Sequence, residues 1–537
     1  MDAAEHNANR KAATWLTATV LASIAAPILA KPQTGMAVAQ RVAAVPAPVA
    51  GYSVSEAYVR LVARQIYVWA WPMLSMYNRV SVLKQVSKAG RAGGVVPVAP
   101  VNRLAMLHDY VDPHARHVAC PDQDVVSGSA MLDLDASPVV IQVPDFGERF
   151  WIYQLVDMRT DGFAALGQMY ATKPGFYLVV GPHWQGTAPK GINKVLRATT
   201  SMAAFMPRVF MEDTHADRVA LRSVINLIAV YPLADYDGAM KKTDWSALPS
   251  LPAVVPATPL ATVSSTVTFA MSQGEDEIRW VMPEHFLDQL PLVLDRVPPL
   301  PGEDAFYTQA RALLHATQRD ATLKAAAQDE AVQTETDVIA PAIRFSAYGT
   351  KLAGNWTTLE NGAAFGTDYY TRMAAAKSNI FVTRANEARY FYLDDDASGV
   401  PLNGANAYAM TFPAGRTPPV KGFWSLTLYD ARHFLSPNIE KRYSLGTRNR
   451  ALHYNEDGSL TLYIQSTPPT EDRQPNWLPA PEGKPFSLSL RAWWPPADVT
   501  TDGTWTPPPV TRISQGVVDI IDIVDINDNA NSKEKET

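Results

Sequence analysis

The chain holds one cysteine, Cys120, in 537 residues, so no internal disulfide can brace it. Its stability must come from buried apolar cores, and a hydrophobic fraction of 47% gives ample material for them. Cys120 itself reads as a small buried hydrophobe rather than a nucleophile. Charged residues are scarce at 19%, no basic run occurs, and the formal net charge is −6. That balance excludes nucleic acid as the main partner. Several motifs are also missing: the G-x-S-x-G elbow, H-E-x-x-H, the phosphate-binding P-loop, G-x-G-x-x-G and paired C-x-x-C. Each absence removes one enzyme class and leaves others open. No cofactor is named by the sequence. After the N-terminal segment, no apolar run is long enough to span a bilayer.

The N-terminal segment reads as a secretory leader. Arg10 and Lys11 are followed by an apolar stretch over 12–30, and Ala37-Val38-Ala39 places small residues at a cleavage site. Cleavage and retention as an anchor both fit this pattern, with cleavage the better reading. Loss of 1–39 removes three basic and two acidic residues, which takes the formal charge to −7. The expected location is periplasmic or secreted.

Prolines number 42 and interrupt the chain at short intervals, which favours strands and loops over long helices. Ser53 or Ser55 can cap a helix whose apolar residues recur from Ala57 to Trp71, with Pro72 as its stop. Alternating runs predict strands over 138–143, 150–155 and 175–180, and again over 423–429, 460–465 and 486–491. In the last of these, Phe486, Leu488 and Leu490 share one face. Helical texture lies between, over 302–333. The tail beyond 516 is acidic.

Candidate chemistry is thin. His108, His114 and His117 share a segment with Asp109, Asp112 and Asp122, but the spacing matches no familiar metal site, and no metal ligand is assigned. Asp122 and Asp124 lie two apart. On a strand they would share a face and raise one carboxyl's pKa; an Asp turn after Pro121 is the simpler reading.

Asn102-Arg103, Asp112-Pro113, Pro121 to Ala130, Pro138-Val139-Val140, Gln154-Leu155-Val156-Asp157 and Gly181-Pro182-His183-Trp184 together resemble the family catalogued as domain of unknown function 1254. Pro401-Leu402-Asn403-Gly404, Phe423 to Asp430, Asn438, Arg442-Tyr443-Ser444-Leu445-Gly446, Asn476-Trp477 and Leu490-Arg491 resemble the companion family 1214. The family's usual Pro-Asn-x-Asp-Thr-x-Tyr-Ser pattern is altered to Pro121-Asp122-Gln123-Asp124-Val125-Val126-Ser127-Gly128, which keeps Asp124 and replaces its neighbours.

The resemblance implies a mainly β protein with additional helices (α+β), in which two β-sandwich or jelly-roll-like domains are joined by a partly helical segment. The expected divisions are a leader (1–39), a linker and helix (40–94), a first β domain (95–244), a helical middle (245–387), a second β domain (388–515) and a tail (516–537). The resemblance carries no agreed substrate.

Within the matched motifs, Asp124, Asp157, Arg442 and Tyr443 are the catalytic candidates, with Asp124 as base or ligand holder and Arg442 as anion clamp. Asn102, Trp424, Asn438 and Trp477 are the ligand-binding candidates. The competing role for these residues is structural, Asn and Asp in turns and Trp and Tyr in cores. The leading function is an exported hydrolase or lyase acting on a small organic or oligomeric substrate. Alternatives are a non-catalytic envelope protein that binds a carbohydrate or apolar ligand on aromatic faces, or an assembly protein that forms homo-oligomers.

Overall fold

The computed structural model describes residues 53–116, 118–252, 279–496 and 505–514. The leader, His117, residues 253–262 of the Pro-rich stretch and the acidic tail lie outside the described residues. Helices and several sheets both contribute, in the α+β class expected from sequence.

In the first sandwich a five-stranded sheet runs in the order Ala105–Met106, Val125–Asp133, Met202–Phe210, Trp151–Asp157, Leu166–Gly167. It packs on a four-stranded sheet of Ala229–Pro232, Val139–Val143, Gly175–Val180 and Ile192–Arg197. Val126, Leu132, Tyr153 and Phe205 of one sheet meet Val139, Ile141 and Val179 of the other in a shared core. In the second sandwich a six-stranded sheet contains the neighbours Ala388–Leu393, Phe486–Trp493, Trp424–Asp430 and Ser444–Gly446. Its partner sheet runs Trp477–Pro479, Leu460–Gln465, Ala407–Phe412, Val510–Ile513. Leu426, Leu428, Leu488 and Leu490 meet Tyr408, Phe412 and Leu462 in that core.

Two glycines of the second sandwich are there for close approach. A Cβ on Gly446 would sit 2.1 Å from the Trp424 carbonyl oxygen, and one on Gly404 1.8 Å from that of Pro481. No side chain fits at either place without moving backbone.

Each sandwich turns the other face of its larger sheet toward a common central layer. Strand alternation decides which residues go there. Met202, Ala204 and Met206 from the first sandwich, and Tyr390, Tyr392, Tyr429 and Trp493 from the second, join one apolar cluster. Helices Glu56–Leu83, Phe286–Arg296, Asp304–Arg319, Ala321–Thr334 and Tyr369–Ser378 complete it. Phe150 of the first sandwich meets Phe423 and Trp493 of the second edge-on, at centroid distances of 5.4 and 5.8 Å. Such ring pairs add about 0.5–1.5 kcal/mol each beyond the area they bury.

The first helix departs from its expected end. Ser55 Oγ accepts from Tyr58 N as its cap, but the helix continues through Pro72 to Leu83. Trp69, Ala70, Met73, Leu74 and Met76 are buried around this point, so packing on several sides outweighs the roughly 3 kcal/mol that an interior proline costs. The other helical stretch divides at Asp320, whose carboxylate accepts from Thr322 N and Leu323 N to cap Ala321–Thr334. Among the described residues, no helix is long and apolar enough to cross a membrane.

Candidate functional site

Where the two central faces approach, they leave a cavity of about 170 Å³. Strand alternation places Arg208 on its wall, on the same face as Met206. The opposing sheet contributes Tyr390, Arg491 and Trp493 by the same rule, since Arg491 alternates with Leu490 and Ala492 of the sandwich core. Segment 118–122 closes one side.

That segment belongs to the first half of the chain but is fastened to the second. Cys120 N donates to His433 O at 2.7 Å, Arg491 Nη2 to Cys120 O at 2.9 Å, and Tyr429 Oη to Pro121 O at 2.7 Å. Cys120 sits at φ 52°, in the left-handed region that side chains other than glycine seldom adopt. Burial pushes its thiol up, so it is not a ready nucleophile.

Beyond Pro121 the chain makes the Asp turn. Asp122 Oδ1 accepts from Asp124 N at 2.8 Å, while Asp122 Oδ2 is buried without a hydrogen-bond partner among the described residues. Asp122 lines the cavity. Arg491, 2% exposed, donates to Thr427 Oγ1, Cys120 O and Tyr429 Oη, all neutral acceptors. Arg208 donates to Gln154 Oε1 at 2.7 Å and to Phe381 O at 3.5 Å. Neither guanidinium has a carboxylate within 4.0 Å among the described residues. Asp122 acts on both only at longer range, and burial lowers the pKa of Arg208. Among the described residues Arg208, whose charge burial disfavours, has no ion-pair partner, a cost that an anion in the cavity would offset.

Asp124 lies just behind this wall, with no exposure. Its Oδ1 accepts from Ser444 Oγ at 3.0 Å and meets Arg448 Nε at 3.0 Å. Burial, then the charge of Asp122, pushes its pKa up to about 7 from 3.8, against the pull of Arg448. The fold therefore favours the protonated form. Its contribution is full below pH 3.8 and is lost as pH rises toward about 7. The melting temperature of Asp124→Asn relative to wild type is expected to climb across that window and then level off. A constant difference in a melting series by pH would refute this.

The other sequence candidates lie away from the cavity. Asp157 accepts from the backbone N of Arg159 and Asp161 and stands 3.7 Å from the Arg159 guanidinium. Burial raises its pKa. Asn102, at φ 67°, exchanges hydrogen bonds with the backbone of Asp133. Asn438, Arg442 and Trp477 are neighbours. Asn438 Nδ2 donates to Arg442 O, and Arg442 Nη1 donates to Trp477 O at 3.0 Å. Trp477 is buried and donates its Nε1 to Gln465 O. Trp424 fills the second sandwich core, and Tyr443 packs into the central layer. His108 and His114 are described, and His114 is bound to Asp112 of its own loop. Among the described residues, no group of three or more potential ligands could hold a metal.

Sequence reasoning passed over Arg208, and a signal existed. It is a charged residue on a strand face otherwise made of Met202, Ala204, Met206 and Phe210.

The comparisons fit this architecture. Residues 101–232 match the family described as "Protein of unknown function (DUF1254)", and 387–497 match "Protein of unknown function (DUF1214)", in the order expected. The cavity draws Asp122 and Arg208 from the first region and Tyr390, Arg491 and Trp493 from the second. A crystal structure of a Vibrio parahaemolyticus protein is similar at 18% identity and a TM-score of 0.54, covering 86% of this chain and 100% of that one. It shares the fold. An uncharacterized protein from Burkholderia cenocepacia is more distant, at 9% identity and a TM-score of 0.38, covering 85% of this chain and 95% of that one. No curated protein matches in sequence.

Proposed function

We propose that this protein is an enzyme working outside the cytoplasm on a small organic anion. Arg208 and Arg491 hold the negative group, and Asp122 moves a proton. The observation that carries this reading is the pair of guanidiniums on one cavity, without a carboxylate within 4.0 Å among the described residues, together with a carboxylate oxygen of the same lining that has no hydrogen-bond partner among them. In an environment of low effective dielectric, a carboxylate ligand would gain two charge-assisted forks there. Apolar neighbours such as Val98, Met206 and Phe381 suit a hydrocarbon body beside the charged group. Asp122 Oδ2 would then accept a proton either from the substrate, as in a lyase, or from attacking water, as in a hydrolase. Asp124, half protonated near neutrality, backs it as a proton reservoir. The location outside the cytoplasm rests on the leader-like residues 1–39.

The direct test is calorimetric titration of the purified chain with small aliphatic and aromatic carboxylates, followed by product analysis of those that bind. Saturable binding that chloride at equal ionic strength does not reproduce is expected. A set of carboxylates that all fail to bind sinks the reading.

A further inference from the structure

Each guanidinium of the inner cavity stands beside an aromatic ring of the same lining. Arg208 lies 5.9 Å from the centre of the Trp493 ring, and Arg491 lies 5.7 Å from that of Tyr390. The two rings meet at a corner, with centroids 6.4 Å apart and planes at 64°. A corner of this kind offers a flat guest one face and one edge, the two contacts that aromatic rings prefer. Each wall of it is braced from behind. Trp493 stacks on Phe423 at 5.5 Å, and Tyr390 on Tyr392 at 5.9 Å. Trp493 Nε1 is also buried without a hydrogen-bond partner among the described residues, so the indole still lacks an acceptor.

Size narrows the guest further. A dry cavity of about 150 Å³ is enough to hold benzene. The inner cavity, at about 170 Å³, has room for one ring and little more. Ser127 keeps that room open. It lines the cavity and is the register partner of Arg208 between strands Val125–Asp133 and Met202–Phe210. Such partners carry their Cβ atoms about 4.5–5.5 Å apart on one face of the sheet. A serine side chain ends at its hydroxyl, so the space beside the Arg208 guanidinium is not filled.

We propose that the inner site selects a carboxylate carried on a single aromatic ring, and that Ser127 sets the size it accepts. The carboxylate would lie on Arg208 and Arg491, with the ring in the corner of Tyr390 and Trp493. This rests on the reading of the cavity as an anion site and names the substrate class for it.

The test titrates the full chain by calorimetry with benzoate, cyclohexanecarboxylate and naphthoate, three anions of equal charge. Benzoate is expected to bind about three- to tenfold tighter than cyclohexanecarboxylate, which has as many carbons but no flat π face. Naphthoate should bind about tenfold more weakly than benzoate or worse, because its second ring requires the packed walls to move. Ser127→Leu should lower benzoate affinity by about tenfold or more relative to acetate, which is too small to meet the new side chain. If Ser127→Leu does not fold, Ser127→Val, a residue suited to strands, gives the same comparison. If cyclohexanecarboxylate or naphthoate binds as tightly as benzoate, the anion site stands and this inference falls. An unchanged ratio of benzoate to acetate affinity in the Ser127 variants overturns the role of Ser127. If none of the three anions binds, both readings fall.

Discussion

Arg208→Met is expected to weaken anion binding by about a hundredfold while leaving the melting temperature of the ligand-free protein unchanged or higher. Arg208 lies on a strand face of Met202, Ala204 and Met206, so methionine matches both its neighbours and its reach. The substitution leaves the Gln154 Oε1 and the Phe381 carbonyl without their donor, a cost of roughly 1–3 kcal/mol. It also removes a charge that burial disfavours and that no carboxylate within 4.0 Å offsets among the described residues. Replacing buried charge by well-packed apolar groups is often neutral or stabilising. For the ligand the balance is different, because a charge-assisted fork is lost in a cavity from which water is largely excluded. Its affinity should fall by about a hundredfold. Titration and thermal melting on one sample decide the matter. Weaker binding with an equally large loss of stability would make Arg208 a structural residue. Unchanged binding would remove it from the site.

Asp122→Asn is expected to lower kcat by about a hundred- to ten-thousandfold, the usual worth of a positioned general base, with KM unchanged or lower. The amide oxygen can still accept from Asp124 N, so the turn that sets residues 121–124 survives. Removing a negative charge from a cavity that binds an anion can only favour the ligand, so any loss of rate is not a loss of binding. The substitution also takes away the charge that helps hold Asp124 protonated, and the pKa of Asp124 should fall toward its ordinary range. A shift in the pH profile therefore accompanies the loss of rate. If Asp122→Asn turns over bound compounds at the wild-type rate, Asp122 is not the base. If wild type binds anions and turns over none of them, the protein is a binding protein, and the two arginines keep their role.

Much of the architecture was legible because alternation and turns are local properties. Strands Gly175–Val180 and Leu460–Gln465 fall where the alternating runs placed them. The helix end at Pro72 was not legible. A proline's cost is local and known, but the burial that outweighs it comes from helices more than two hundred residues further along the chain.

The candidate site was legible only in part. The turn at Pro121 and the pairing of Asp122 with Asp124 could be read from their spacing, and the structure places both beside the cavity. Arg442, Asn438 and Trp477 looked like a clamp because Arg and aromatic residues bind anions and rings. Here the same donors are spent on backbone carbonyls of their own neighbourhood. Arg491 follows Ser487 and Ser489 on one face of its strand, a polar alternation that by itself points to solvent. That face is in fact buried against the other half of the chain.

The sequence by itself determined the strand periods, the turns and the lack of disulfide bracing, all of which depend on residues near one another or on composition, while the α+β class was implied by the family resemblance. Only the tertiary structure decided that the outer faces of two sandwiches meet. That meeting brings Arg208 within one cavity of Arg491, 283 positions away in the numbering, and fastens Cys120 and Pro121 to the second half. The physical reason is that a strand's period says which residues share a face, whereas whether that face meets water or another sheet depends on how distant parts of the chain pack.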